Sequence, residues 1–261
     1  MPQQSAQTVQ QRLLTLAKTQ QFAWFVGHSL TLLGSALYFL SFILFRPSVT
    51  AYKTAYVGAI GSYGVVIYKT HGVPKLSSTY AQRLVMDENV QYLLLALYWF
   101  LSRPITVTLI PFATFSTFHA LGYIRTNIIP TVFPAPSNGG TWQGRVQQQI
   151  KAWTDKNYDA AMRFVAQIEV VVIMGRLLLG IFRLQIWSIF LYAQFLRFRF
   201  HLSTYTSRAF RQLGATLDRH LLPPTANPSI PPAVSEAYKT VKALVIRYGQ
   251  AVVQPRPTQG Q

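Results

Sequence analysis

Between Phe22 and Tyr123 the chain carries long apolar runs almost free of charge, and this restricts its folding more than any other feature. Phe22 to Phe45 contains a single titratable residue, His28, and as a helix is long enough to cross the ~30 Å hydrocarbon layer of a bilayer. Arg46 and Pro47 end it. The short link to a second run, Tyr52 to Tyr68, makes a hairpin of the two, and Gly58, Gly61 and Gly64 are expected to let the neighbouring helix approach closely. A third stretch, Val90 to Tyr123, is apolar except at Arg103. Because Pro104 disfavours helical geometry at the residue before it, two helices are expected there, with Arg103 at the break. The spans are thus placed near 22–45, 52–68, 90–102 and 105–123.

Only 12% of the 261 residues are charged, against about 25% in an average soluble domain, so part of the surface must face a solvent other than water. The charge is one-sided, +17 at neutral pH. Nucleic acid or anionic lipid would suit that balance, but no separable basic module with reader helices or aromatics exists, and nucleic acid is not expected as a partner. The absence of cysteine excludes disulfides, thiol catalysis and cysteine-bound metal. Residues 1–21 are polar, and the apolar run that follows is too long for a cleaved signal peptide, so it reads as an uncleaved first span.

Prolines, an asparagine and paired glycines make Ile129 to Gly140 a loop, within a connecting region over 125–167 whose polar part, Thr141 to Ala166, is predicted to be helical and outside the bilayer core. A further hydrophobic region, 168–198, is a span or an in-plane hairpin. Within it Glu169, Arg176 and Arg183 recur every seven residues, which on a helix makes one charged stripe, with Arg176 or a polar group of another span the natural partner of Glu169. The remainder, 199–261, is a basic tail. In its last helix, Ala233 to Val253, the residues Tyr238, Val241, Leu244, Val245 and Tyr248 are expected to insert into a membrane surface while Lys239, Lys242 and Arg247 meet anionic headgroups; an acidic soluble partner or transport receptor is the alternative. Positive segments stay cytoplasmic, so both termini are placed in the cytosol and the spans are even in number, most simply four.

No nucleotide-binding, metalloprotease or nucleophile-elbow pattern occurs, and the histidines lack ligand spacing, so neither enzyme activity, metal nor cofactor is expected. His119 reads as an intramembrane packing residue, and the adjacent Asp87 and Glu88 as complements to the N-terminal dipole of the helix they open. The fold class is an all-α integral membrane protein with about four transmembrane or hairpin helices plus cytosolic amphipathic helices. A small-molecule or ion transporter using Glu169, Arg176 and Arg183 is the competing reading.

Two blocks resemble the transmembrane protein 33 family. The first is Asp87-Glu88, Tyr92-Leu93-Leu94, Arg103-Pro104, Ile110-Pro111, Ser116, His119-Ala120 and Tyr123; the second is Glu169, Tyr192, Phe195-Leu196, Arg199, Tyr205, Phe210 and Leu213. The resemblance implies a non-enzymatic protein of the endoplasmic reticulum and nuclear envelope that shapes tubular membrane and supports nuclear pore assembly or distribution. It further implies association with reticulon-type membrane-shaping proteins and nuclear pore components.

Overall fold

The computed structural model describes residues 8–134, 141–180 and 186–250, and these form helices with no strand among them. Small polar residues start them. Thr8 and Gln11 form a reciprocal cap on α1 (Val9–Ala17), the Thr19 hydroxyl accepts from Phe22 N–H to open α2 (Gln20–Ile43), and Ser48 opens α3 (Val49–His71). Gly72, at a φ of 67° that suits glycine, ends α3. After the short α4 (Ser78–Val85), Asp87 caps α5 (Glu88–Leu101) by accepting from the Asn89 and Val90 N–H groups.

Pairs of contacts set the directions. Trp24 and Phe25 near the start of α2 meet Tyr123, at the end of α6 (Leu109–Tyr123), while Tyr38 farther along α2 meets Thr106, just ahead of α6. Tyr52 near the start of α3 meets Thr108, and His71 at its end meets Asp87. The helices α2, α3, α5 and α6 are therefore an antiparallel bundle. Two continuous helical stretches, Gln20–Ile43 and Thr106–Val132, are long and apolar enough to cross a bilayer. By contrast α5, with 14 residues, is only about 21 Å long, and α3 is rich in tyrosine, glycine and threonine.

The composition of α3 follows from what it touches. A Cβ added at Gly34 would lie 2.5 Å from the Ala55 backbone nitrogen, and one at Gly58 would lie 2.4 Å from the Gly27 carbonyl oxygen, so α2 and α3 pack backbone to backbone. Lipid tails are as apolar as leucine, so such helices are joined by close packing rather than by exclusion of water. Of the three glycines expected at this contact only Gly58 takes part; Gly61 and Gly64 face open space, and Gly27 and Gly34 of α2 supply the other side.

As Pro104 implies, α5 stops at Leu101, and Arg103 in the break is exposed. The chain restarts through a 3-10 turn, Thr106–Thr108. Its irregular backbone is met by tyrosines: Tyr52 and Tyr56 donate to the Thr108 hydroxyl at 2.9 and 2.8 Å, Thr108 donates to the Ile105 carbonyl, and the Tyr52 oxygen accepts from Ile105 N–H. Irregular backbone that is buried requires such internal partners.

Beyond α6 a π-helical turn, Ile124–Ile128, leads into α7 (Ile129–Val132), so the expected loop begins later than Ile129. Pro130 follows the π turn directly, near the C-terminal end of this continuous helical stretch, which stops at Val132. Next come α8 (Trp142–Gln167), a second π-helical turn (Ile168–Ile173) and α9 (Met174–Leu178). After them α10 (Ile186–Leu202) packs on α9 and α5, α11 (Thr204–Leu221) on α8 and α10, and α12 (Pro232–Gln250) on α11.

Replacing Gly58 by alanine is expected to destabilise the bundle by about 1–3 kcal/mol through overpacking against backbone, whereas Gly64→Ala should be neutral or stabilising by about 0.4–1 kcal/mol. Thermal unfolding of the two purified variants in detergent separates these outcomes.

Candidate functional site

The second π-helical turn places Glu169 in the interior, 1% exposed, among aromatic rings. The Tyr92 hydroxyl on α5 donates to its Oε1 at 2.7 Å, and Tyr192 on α10 donates to its backbone carbonyl at 3.1 Å. Arg199, also on α10 and buried, sets Nε 3.9 Å from Glu169 Oε2, a charge contact too long for a hydrogen bond. Its Nη1 lies 2.6 Å from Oε2 of the half-exposed Glu88, and the guanidinium stands 5.3 Å from the Tyr92 ring centroid. Tyr92 is itself packed among Tyr63, Phe112, Phe115 and Phe195. One carboxylate thus ties α5, the π turn and α10 together. Neither cavity identified at the bundle's end is lined by Glu169.

The partner of Glu169 differs from the expected one. A π turn widens the helix, so a residue seven positions on no longer shares its face; Arg176 is exposed and its place is taken by Arg199. Arg183 lies outside the described residues. Residues 199–261 read as a basic tail, yet the structure buries Arg199, the first arginine of that stretch, in the interior cluster. The signal available in the sequence was its place in the second family-like block beside Tyr192 and Phe195.

His119 sits beside His28, not beside Glu169: the two rings are 4.7 Å apart, with Trp24 edge-on to both, and His28 Nδ1 is 2.9 Å from the Ser116 hydroxyl. No group of three or more histidine and acidic residues suited to a metal occurs among the described residues. Asp87, besides capping α5, lies 2.7 Å from His71 Nε2. Burial pushes its carboxyl up, but the hydrogen bonds from His71 and from the Asn89 and Val90 N–H groups outweigh this and hold it below the ordinary carboxylate value.

In the tail the structure divides the residues expected to meet lipid. Tyr238 and Lys242 face the protein: the phenol donates to Asp218 at 2.6 Å and the Lys242 ammonium reaches both Asp218 oxygens at 2.8 and 2.7 Å. Tyr248 lies under the Arg197 guanidinium at 4.6 Å, and Lys239 pairs with Glu236 of its own helix. Val241, Leu244 and Val245 are more than half exposed, and Arg247 is exposed beside them. The Lys242 and Tyr238 hydrogen bonds hold the Asp218 carboxyl below the ordinary value, while partial burial and the bond to Asp218 push the Tyr238 phenol up to about 12.

A model of the family described as transmembrane protein 33/nucleoporin POM33 matches residues 1–251 of the chain. Tetra-spanning protein 1 of Schizosaccharomyces pombe is 33% identical over 270 residues, covering 98% of this chain and 95% of that protein. Nucleoporin POM33 of Chaetomium thermophilum is 33% identical over 253 residues, covering 89% and 86%. The pore membrane protein of 33 kDa of Saccharomyces cerevisiae is 32% identical over 255 residues, covering 92% and 87%. No solved structure matches the chain.

Arg199→Met should destabilise the protein by about 3–5 kcal/mol, because it leaves Glu169 buried without its cation; adding Glu169→Leu should restore part of the loss. A double-mutant cycle from unfolding in detergent reads the coupling. The docking of α12 on α11 should respond to pH at both ends. Asp218 has a folded value below the unfolded one, so its contribution is complete above the unfolded value of about 3.9 and vanishes as pH falls through the folded value. Tyr238 has a raised value, so its contribution is complete below about 10 and is lost as pH rises through about 12. Hydrogen exchange of α12 measured against pH checks this, and Asp218→Asn should remove the acid limb.

Proposed function

Since the chain belongs to the transmembrane protein 33/nucleoporin POM33 family, we propose that it is a non-enzymatic membrane-organising protein of the endoplasmic reticulum and nuclear envelope, supporting nuclear pore assembly or distribution and the shape of tubular membrane. Relatives named as a nucleoporin and as a pore membrane protein support the pore-associated part of this reading. The single structural observation that carries the mechanism is the exposed apolar strip Val241, Leu244 and Val245 on a helix fixed to the protein by its other side.

In this mechanism the bundle anchors the protein and the docked α12 lays its strip into the cytosolic leaflet, with Lys239 and Arg247 at anionic headgroups. Each basic residue near such a surface contributes about 1 kcal/mol, and the inserted side chains wedge one leaflet apart. Both termini are cytosolic. Partners are the lipid bilayer itself, pore components and reticulon-type membrane-shaping proteins. A transporter reading would need a water-lined cavity at Glu169, whereas that carboxylate is buried against Tyr92 and Arg199 and lines neither cavity.

Flotation with liposomes tests the mechanism. A peptide spanning Pro232–Gln250 is expected to float with small anionic vesicles and less with large neutral ones, and the triple substitution Val241→Ser, Leu244→Ser, Val245→Ser should remove the binding. Equal, negligible flotation with every vesicle would reject the tail as the membrane-sensing element.

A further inference from the structure

At the end of the bundle where α2 begins and α3 ends, a cavity of about 340 Å³ is lined by residues that include Trp24, His28, Tyr63, Lys69, Asn89 and His119. A second, of about 230 Å³, shares Gln21, Trp24 and His119 with it and adds Gly122 and Arg125. The two hollows therefore flank one tryptophan and one histidine and form a groove with a cation on either side of them. Neither lining contains an aspartate or glutamate. The acids nearest in sequence are engaged elsewhere, Asp87 with His71 and Glu88 with Arg199. Among the described residues no carboxylate lies within 4.0 Å of Lys69 or Arg125, in contrast to Lys242 and Arg199.

The chemistry is graded. Gln20, Lys69, Thr70 and Asn89 come from helix ends, where a spanning bundle meets the headgroups, whereas Trp24, Tyr63, Val65 and Val66 give the first cavity an apolar wall. A polar, cationic rim over an apolar wall suits an amphiphile with a negative head, and the volume of the first cavity lies within the range of small-molecule sites. In a bilayer the abundant molecule of that description is a phospholipid.

We propose that this groove holds one anionic glycerophospholipid, its phosphate met by Lys69 or Arg125 and its glycerol and upper chain lying against Trp24. The site is separate from the tail strip, which meets a leaflet surface and not a single molecule. Its occupant joins the ends of α2, α3, α5 and α6 from outside the protein.

The test uses the full chain purified in detergent, with native mass spectrometry during titration of phosphatidylserine or phosphatidylcholine of matched chains. One phosphatidylserine should be retained per chain at concentrations where phosphatidylcholine is not. Lys69→Gln with Arg125→Gln should weaken that retention about tenfold, while Lys239→Gln with Arg247→Gln in the tail should leave it unchanged. Gly122→Phe gives an independent check, since a Cβ there meets nothing within 4 Å and the ring can enter the groove; it should abolish retention. Equal retention of both lipids, insensitivity to the Lys69 and Arg125 changes, or loss on the tail changes alone would each overturn the proposal. So would competition by soluble glycerophosphoserine at the concentration of the lipid, which would mean that the chains play no part.

Discussion

A carboxylate held away from water must find its counter-charge and its hydrogen bonds where it stands, and Glu169 is the point at which this requirement governs the molecule. The carboxylate's partners come from far apart in sequence, a hydrogen bond from Tyr92 on α5 and the charge of Arg199 on α10, while Tyr192 on α10 holds the residue's backbone carbonyl. Satisfying it therefore fixes the later hydrophobic region against the earlier bundle. Arg199 serves two carboxylates, one buried and one half-exposed, so the ionic cluster runs from the interior to the surface. The family-like blocks that sequence inspection singled out meet at this cluster, which gives their residues a shared physical role.

Elsewhere the bundle pairs many of its buried polar groups with uncharged chemistry, although the Ser35 and Tyr123 hydroxyls and Gln91 Oε1 have no partner. Tyrosine hydroxyls close the interruption after Pro104, and serine or threonine hydroxyls within the helices return to carbonyls one turn back, as Thr31 does to Gly27 and Ser62 to Gly58. The same Gly27 and Gly58 carry the closest approach of α2 to α3. Stability in this part comes from dispersion at short range and from local hydrogen bonds, neither of which a hydropathy reading measures.

That explains what was legible in the sequence. The all-helical, membrane-embedded class followed from the length of the apolar runs, and the break at Ser102 to Pro104 followed from proline sterics. That Asp87 and Glu88 open α5 was readable as a match to the helix dipole, and the structure adds that Asp87 caps it through the Asn89 and Val90 N–H groups. What escaped depended on phase or on distance. The seven-residue stripe assumed an unbroken α-helix, and the π turn at Ile168–Ile173 displaced Arg176 from it. The meeting of His28 with His119 joins residues on different helices, for which spacing along the chain gives no signal. In the tail, periodicity identified the apolar residues of α12, but could not separate those that face α11 from those left open.

The backbone contact between α2 and α3 has a consequence for biosynthesis. Its two sides are joined by a tight link at residues 44–48, so the hairpin needs nothing downstream of His71 and can assemble while the ribosome is still making the remainder. The ionic cluster, by contrast, closes only after Arg199 has emerged. Until then Glu169 stands without its arginine, and a carboxyl in apolar surroundings with no cation beside it keeps its proton, so closing the cluster is also the step that ionises it.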